Sequence, residues 1–114
     1  MATLLCVGAD DAAMATRKLI LTRAGHDVRQ ARDLREVKAE CEATSFSVVV
    51  IGHSLNPNEK MRVCSVIREH CKNAKLLELH TGISPQLREA DAHLYIGENH
   101  PHELVDGVAK LALL

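Results

Sequence analysis

The sequence predicts an α/β fold in which short buried strands alternate with amphipathic helices around a parallel sheet. Two observations support this. Short apolar runs alternate along the chain with longer segments whose apolar residues recur at helical spacing. The run Val48-Val49-Val50-Ile51 is continuous and β-branched, which is typical of a strand buried on both faces of a central parallel sheet.

Five segments have the length and composition of strands: 3–7, 28–31, 47–51, 75–79 and 92–96. Helical periodicity fills most of the intervals between them. Strands that alternate with helices in this way are joined by right-handed crossovers and pair in parallel. We therefore expect a flavodoxin-like three-layer sandwich with the strand order 2-1-3-4-5, and one domain spanning residues 1–114.

Helix-capping signals follow the first three strands. Asp10 or Asp11 can cap the first helix, and Gly25 stands where a glycine is expected after a helix end. Asp33 followed by Glu36 has the spacing of a capping box.

The third and last helices have the clearest starts in the chain. The third begins with Asn56 as cap, Pro57 in the first helical position and Glu59 two residues later. Pro101 opens the last helix. Apolar residues at helical spacing predict the inner faces of the second, third and last helices: Leu34, Val37 and Cys41; Cys64, Ile67 and Cys71; Leu104, Val108 and Leu111.

Composition excludes several classes of function. The formal net charge is −1, and Phe46 and Tyr95 are the only aromatic residues, so the chain lacks the basic surface and the stacking side chains of nucleic-acid-binding proteins. No apolar run reaches the roughly 20 residues of a membrane span, and no secretory signal precedes the first strand. We expect a cytoplasmic protein that binds neither nucleic acid nor membranes.

The cysteines fit that expectation. They form no CxxC pair and lie in apolar periodic segments, where a free cysteine behaves as a small buried hydrophobe. We therefore expect four free thiols in a reducing compartment. The four are Cys6, Cys41, Cys64 and Cys71.

Across essentially its whole length the sequence resembles the receiver domain of bacterial response regulators. Four stretches carry the resemblance, in the family's order: Leu4-Leu5-Cys6-Val7 before acidic residues, Arg23-Ala24-Gly25-His26-Asp27-Val28, Phe46-Ser47-Val48-Val49-Val50-Ile51 with Pro57 just beyond, and Ala90-Asp91-Ala92-His93-Leu94-Tyr95-Ile96 before a terminal helix. The resemblance implies a phosphorelay role in two-component signal transduction. In this family a histidine kinase phosphorylates an aspartate at the end of the third strand. An acidic pair that holds Mg²⁺, a Thr or Ser, and a Lys assist the transfer.

The residues at those family positions do not match this chemistry. The acidic pair falls on Gly8 and Ala9, and the phosphoacceptor on Gly52 or His53. The Thr or Ser falls on His80, with Thr81 one place later, and the Lys on Gly97 or Glu98. The resemblance therefore implies a degenerate pseudo-receiver with no catalytic residues and no cofactor. It would not be an enzyme and would act through contact with a histidine kinase, a regulator, an output domain or a second copy.

Two further features bear on how such a domain would contact a partner. The interval between the fourth and fifth strands is shorter than the family's, which predicts a shortened helix there. Tyr95 is a candidate for the family's aromatic switch residue. With no phosphoryl group to sense, packing at the sheet edge is the favoured role.

An alternative function uses the edge of the sheet where the strands end. In open α/β sheets, ligands bind outside the carboxyl ends of the strands. Asp10 or Asp11, together with His53 and His80, would meet there and could bind a metal ion or a small molecule. The competing interpretation is that these are ordinary surface loop residues, since no metal-binding spacing connects them.

Overall fold

The structure is a computed structural model that describes residues 2–82, 84–96 and 101–114. The described part contains five strands and four helices. In chain order they are β1 (Thr3–Val7), α1 (Asp11–Arg23), β2 (Asp27–Ala31), α2 (Leu34–Ala43), β3 (Val48–Ile51), α3 (Pro57–His70), β4 (Lys75–His80), β5 (Ala92–Tyr95) and α4 (Pro101–Ala112). None of the described helices is long and apolar enough to span a membrane.

All strand pairs are parallel, and the sheet order is β2-β1-β3-β4-β5. This confirms the predicted sheet topology. One face of the sheet is covered by α2 and α3, and the other by α1 and α4. β3 lies in the centre with all four of its residues buried, as its unbroken β-branched run predicts.

The predicted caps define the helix starts. Asp10, not Asp11, caps α1: its carboxylate accepts a hydrogen bond from the backbone N–H of Ala13 at 3.1 Å. Gly25 follows the end of α1 with φ of +97°, a conformation that residues with a Cβ rarely adopt. These local interactions begin and end α1 where the sequence places it.

The capping boxes of α2 and α3 differ in one detail. In α3, Asn56 and Glu59 accept each other's backbone N–H at 2.8 and 3.0 Å, which completes the box. In α2, Asp33 accepts from the N–H of Glu36, but the Glu36 carboxylate accepts from Arg32, one residue before the cap.

The inner faces of the helices follow the predicted periodicity with one exception. Leu34 opens α2 and is 37% exposed, so it does not belong to the core. The other predicted positions are buried: Val37, Cys41, Cys64, Ile67, Cys71, Leu104, Val108 and Leu111.

The connection from β4 to β5 departs from the predicted shortened helix. Its described residues, 81, 82 and 84–91, contain no helical segment. The connection packs against the sheet through Leu87, which is completely buried, and through the N–H of Asp91, which donates to the carbonyl of Leu76 at 2.9 Å. A loop therefore lies where the sequence predicts a short helix.

The prediction of four free cysteines is wrong. Cys41, at the end of α2, and Cys71, which follows α3, form a disulfide across 30 residues of sequence, with their Cα atoms 5.2 Å apart. Cys6 and Cys64 are buried free thiols. Sequence spacing does not reveal the pair, because α2 and α3 bring it together only when they pack side by side. The disulfide also removes the support that four free thiols gave to a reducing compartment.

Reduction of this disulfide is expected to lower the free energy of unfolding by about 2–4 kcal/mol, because the cross-link restricts the unfolded chain over a loop of this length. Urea unfolding followed by far-ultraviolet circular dichroism, with and without a thiol reductant, measures the difference. The double variant Cys41→Ala/Cys71→Ala is the control and should not respond to reductant. Superimposable wild-type curves would contradict the prediction.

Candidate functional site at the carboxyl ends of the strands

The carboxyl ends of β1 and β3 lie side by side at one edge of the sheet. Val7 pairs with Ile51, so Gly8 and Ala9 lie beside Gly52 and the residues that follow it. The N–H of Gly52 donates to the carbonyl of Val7 at 2.7 Å. We call this edge, formed by residues 8–10, 52–54 and 80–81, the rim.

Gly52 occupies a position that has no room for a side chain. A Cβ built on it would lie 2.9 Å from the carbonyl oxygen of Val7 and 3.0 Å from Nη1 of Arg17. The first distance is shorter than real Cβ contacts, and the carbonyl belongs to the backbone of β1. Any other residue at position 52 therefore requires both the carbonyl of Val7 at the end of β1 and the guanidinium of Arg17 to move.

Arg17 contacts the rim, and the sequence analysis missed it. It belongs to α1, is 7% exposed, and directs its guanidinium at the end of β3. Its Nη2 lies 2.7 Å from Nδ1 of His53. Because a guanidinium only donates, Nδ1 of His53 accepts this bond and the imidazole proton lies on Nε2.

The electrostatics of the rim keep His53 neutral. Burial lowers the pKa of His53 below its ordinary value, and the positive charges of Arg17 and Lys60 lower it further, against the opposing effect of Asp10. At neutral pH His53 is therefore an uncharged imidazole that accepts at Nδ1 and donates at Nε2.

Arg17 has no carboxylate partner within the described ranges 2–82, 84–96 and 101–114: no ion pair forms there with its guanidinium. Burial lowers its pKa, and the nearby Cys6 and Asp10 oppose this effect. Cys6 cannot balance the charge at neutral pH, because burial raises the pKa of its thiol to about 11.

The acidic residues proposed for the rim form no hydrogen bond or ion pair with His53 or His80 among the described residues. Asp10 caps α1, and Asp11 forms an exposed ion pair with Arg32 at 3.1 Å. Among the described residues, no group of three His, Cys, Asp or Glu side chains could hold a metal ion. The arrangement of Asp11, His53 and His80 therefore gives no support to the metal-sensing alternative.

His80 and Tyr95 contact each other at the other end of the rim. Nδ1 of His80 donates to the carbonyl of Gly82 at 3.0 Å. The His80 ring lies 5.9 Å from the ring of Tyr95, which is 51% exposed on the edge strand β5. Gly97 and Glu98, the two alternatives for the lysine position, lie outside the described residues.

A buried ion pair lies beneath the rim, and the sequence analysis missed it as well. Lys60 of α3 and Glu78 of β4 are both completely buried, with 2.8 Å between Nζ and Oε2. Nζ also donates to the carbonyl of Leu79 at 3.0 Å. A buried charge pair of this kind is tolerated only when further hydrogen bonds satisfy its remaining polar atoms.

Glu78 accepts these further hydrogen bonds, and two of them come from the β4–β5 connection. Its carboxylate accepts from the backbone N–H groups of Gln86 and Leu87 at 2.9–3.2 Å, and from Nδ1 of His93 at 2.8 Å. Burial alone would raise the pKa of Glu78, but the bonds from Lys60, from the two amides and from His93 outweigh it and lower the pKa to about 2. Glu78 thus stays ionised and holds the loop against the sheet.

The sequence does contain signals for these charged residues. Lys60 lies four residues before Cys64 on the inner face of α3, and Glu78 interrupts the apolar run of β4. Arg17 lies between Met14 and Leu21 on the buried face of α1. A charged residue at a position that the pattern predicts to be buried is the mark of a paired or functional charge.

Comparison with known proteins supports the architecture. No protein-family profile matches the sequence, and no curated protein sequence matches it. Solved structures do match over the whole chain. The chemotaxis response regulator CheY4 of Vibrio cholerae superposes with a TM-score of 0.82 at 23% identity, over 97% of this chain and 98% of CheY4.

Two further structures match as closely. The receiver domain of the Francisella response regulator 1452 gives a TM-score of 0.83 at 18% identity, over 99% of this chain and 98% of that one. The response regulator TrrA of Thermotoga maritima, solved in complex with Mg²⁺ and BeF, gives a TM-score of 0.81 at 20% identity, over 97% of this chain and 99% of that one. The chain therefore has the CheY-like fold of response-regulator receiver domains.

Proposed function

We propose that this chain is a pseudo-receiver: a signalling domain that acts by contact with another protein and without phosphorylation. The observation that carries the proposal is the packing of Arg17 against Gly52. The end of β3, where a receiver carries its phosphoacceptor, has no space for a Cβ and faces a guanidinium. The alternative register places His53 there, and its Nδ1 is engaged by the same guanidinium.

The rim does not suit the Mg²⁺ ion that receiver chemistry implies. Mg²⁺ requires oxygen ligands, normally one or two carboxylates. Here Gly8, Ala9 and Gly52 contribute no side-chain oxygen, and Asp10 caps α1. Arg17 adds a buried positive charge to the edge. We therefore propose that the chain binds no Mg²⁺ at this edge and is not an enzyme.

The Lys60–Glu78 pair supports a domain with one fixed conformation. Two backbone N–H groups of the connection after β4, those of Gln86 and Leu87, donate to the Glu78 carboxylate. Lys60 and His93 complete the contacts of this carboxylate, and none of the four partners is a rim residue. A connection held in this way has no evident means of responding to a phosphoryl group. We infer that the surface presented to a partner, either a second signalling protein or a second copy, is constitutive.

The test is exposure of the purified protein to a small-molecule phosphodonor with Mg²⁺, followed by intact mass spectrometry. We expect no mass increase, while a conventional receiver in the same reaction gains one phosphoryl group. A stoichiometric phosphoryl adduct on the wild-type protein would overturn the proposal, and its loss in His53→Ala or Asp10→Asn would identify the acceptor.

A further inference from the structure

The buried guanidinium of Arg17 leaves most of its donors unused. It carries five N–H groups, and among the described residues its hydrogen bonding is to Nδ1 of His53 alone. A charge that is taken out of water is normally paired with an opposite charge. Here the charge is 7% exposed and unpaired within the described part of the chain. The folded chain thus holds a cation directed at the rim that forms no ion pair with a carboxylate among the described residues.

The groups next to Arg17 define which ligand could act as its counterion. The Nε2–H of His53 is a second donor, because Nδ1 of the same ring accepts from Arg17. His53 is only partly buried, so the rim is open to solvent beside it. Two fixed donors, one of them a guanidinium fork, match a ligand with two or more acceptor oxygens on one centre.

We propose that Arg17 and His53 form a reversible binding site for a small oxyanion, a carboxylate or a phosphate group, at the carboxyl ends of β1 and β3. No bond is made or broken, and no metal takes part. The site is independent of whether the domain can be phosphorylated, since it uses a helix side chain and a neutral imidazole in place of a nucleophile. The alternative function predicted from the sequence was binding of a metal ion or a small molecule at this edge, and the proposed site specifies an oxyanion as that small molecule.

Asp10 sets the strength of this site. Its exposed carboxylate lies at the same edge and interacts electrostatically with both Arg17 and His53. A fixed negative charge there competes with a bound oxyanion. Neutralisation of Asp10 should therefore tighten binding, and asparagine is suited to the test because it caps helices as well as aspartate does.

The experiment is a titration of the wild-type chain, followed by backbone amide chemical shifts, with inorganic phosphate and with acetate in separate series at constant ionic strength. We expect saturable shifts at residues 9, 52 and 53. Arg17→Met should weaken binding about tenfold or more, since a charge-assisted hydrogen bond is lost. Arg23→Met removes an exposed arginine from the same helix and should bind like the wild type. Asp10→Asn should bind more tightly.

The outcomes separate the two ligand sources and decide the proposal. Saturation by phosphate alone, by acetate alone or by both supports the site and identifies the oxyanion that it prefers. Linear, unsaturable shifts, or equal affinity in Arg17→Met and wild type, overturn it. If Arg17→Met does not fold, the Asp10→Asn comparison decides, because unchanged affinity in that variant contradicts the predicted competition.

Discussion

Replacement of Lys60 by methionine is expected to lower the free energy of unfolding by about 3–5 kcal/mol, the usual cost of removing one partner from a buried ion pair. Methionine keeps most of the volume of the lysine stem. The loss therefore comes from the Glu78 carboxylate, which remains buried without its cation, and from the carbonyl of Leu79, which loses its donor. Urea unfolding monitored by far-ultraviolet circular dichroism measures it, since the chain has no tryptophan for fluorescence.

A matched variant separates this effect from a general loss of positive charge. Lys38→Met removes an exposed lysine from α2 and should change stability by no more than about 0.5 kcal/mol. The double variant Lys60→Met/Glu78→Gln should cost less than the sum of the two single changes, because the partners are coupled. Equal losses in Lys60→Met and Lys38→Met would show that the buried pair contributes nothing.

The stability of the wild-type protein is expected to fall steeply in acid because of Glu78. Its pKa in the folded state is about 2, against 4.5 in the absence of the fold. A carboxyl group with a lowered folded-state pKa contributes its full stabilisation above the unfolded value, and loses it as pH falls from about 4.5 to about 2. The contribution is on the order of 3 kcal/mol.

Glu78→Gln tests this assignment. At neutral pH it should destabilise the fold by about 3–5 kcal/mol, because Lys60 is left as an unpaired buried charge. The remaining stability should depend much less on pH between about 4.5 and 2. Glu69→Gln removes a carboxylate whose side chain is 76% exposed and should keep the wild-type acid profile. Parallel profiles for Glu78→Gln and wild type would contradict the assignment.

Local signals in the sequence were enough to predict most of the backbone. The cap of α1 and the complete capping box of α3 depend on residues within three positions of each other, so they can be identified without the fold. The central place of β3 follows from its unbroken β-branched run. The predicted strand order is confirmed because right-handed crossovers leave few arrangements of five alternating strands.

The interactions that sequence analysis missed all join distant parts of the chain. Lys60 and Glu78 are 18 residues apart, and Arg17 and His53 are 36 apart. A charged residue on a helix can face the strand that precedes the helix, a neighbouring strand or solvent, and the packing of the helix decides which. Apolar spacing fixes that packing only approximately. The signals that do indicate buried partners are the charged residues Arg17, Lys60 and Glu78, each at a position that the apolar pattern predicts to be buried.

The same limit explains the loop between β4 and β5. The length of the interval between the two strands predicted a short helix. Its described residues form no helix, and their backbone N–H groups need a hydrogen-bond partner other than the carbonyls of a helix. Glu78 provides that partner for Gln86 and Leu87. A buried carboxylate thus replaces part of the hydrogen bonding that a helix would have supplied internally.

The contact between Gly52 and Arg17 has an evolutionary consequence. The two positions are epistatic: a carboxylate at position 52 would need Arg17 and the carbonyl of Val7 to move before it could fit. If it did fit, the guanidinium beside it would bind it as an ion pair and reduce its nucleophilicity. On the proposal that this chain is a pseudo-receiver, an aspartate introduced at position 52 would therefore need a further change at position 17 before it could act as a phosphoacceptor.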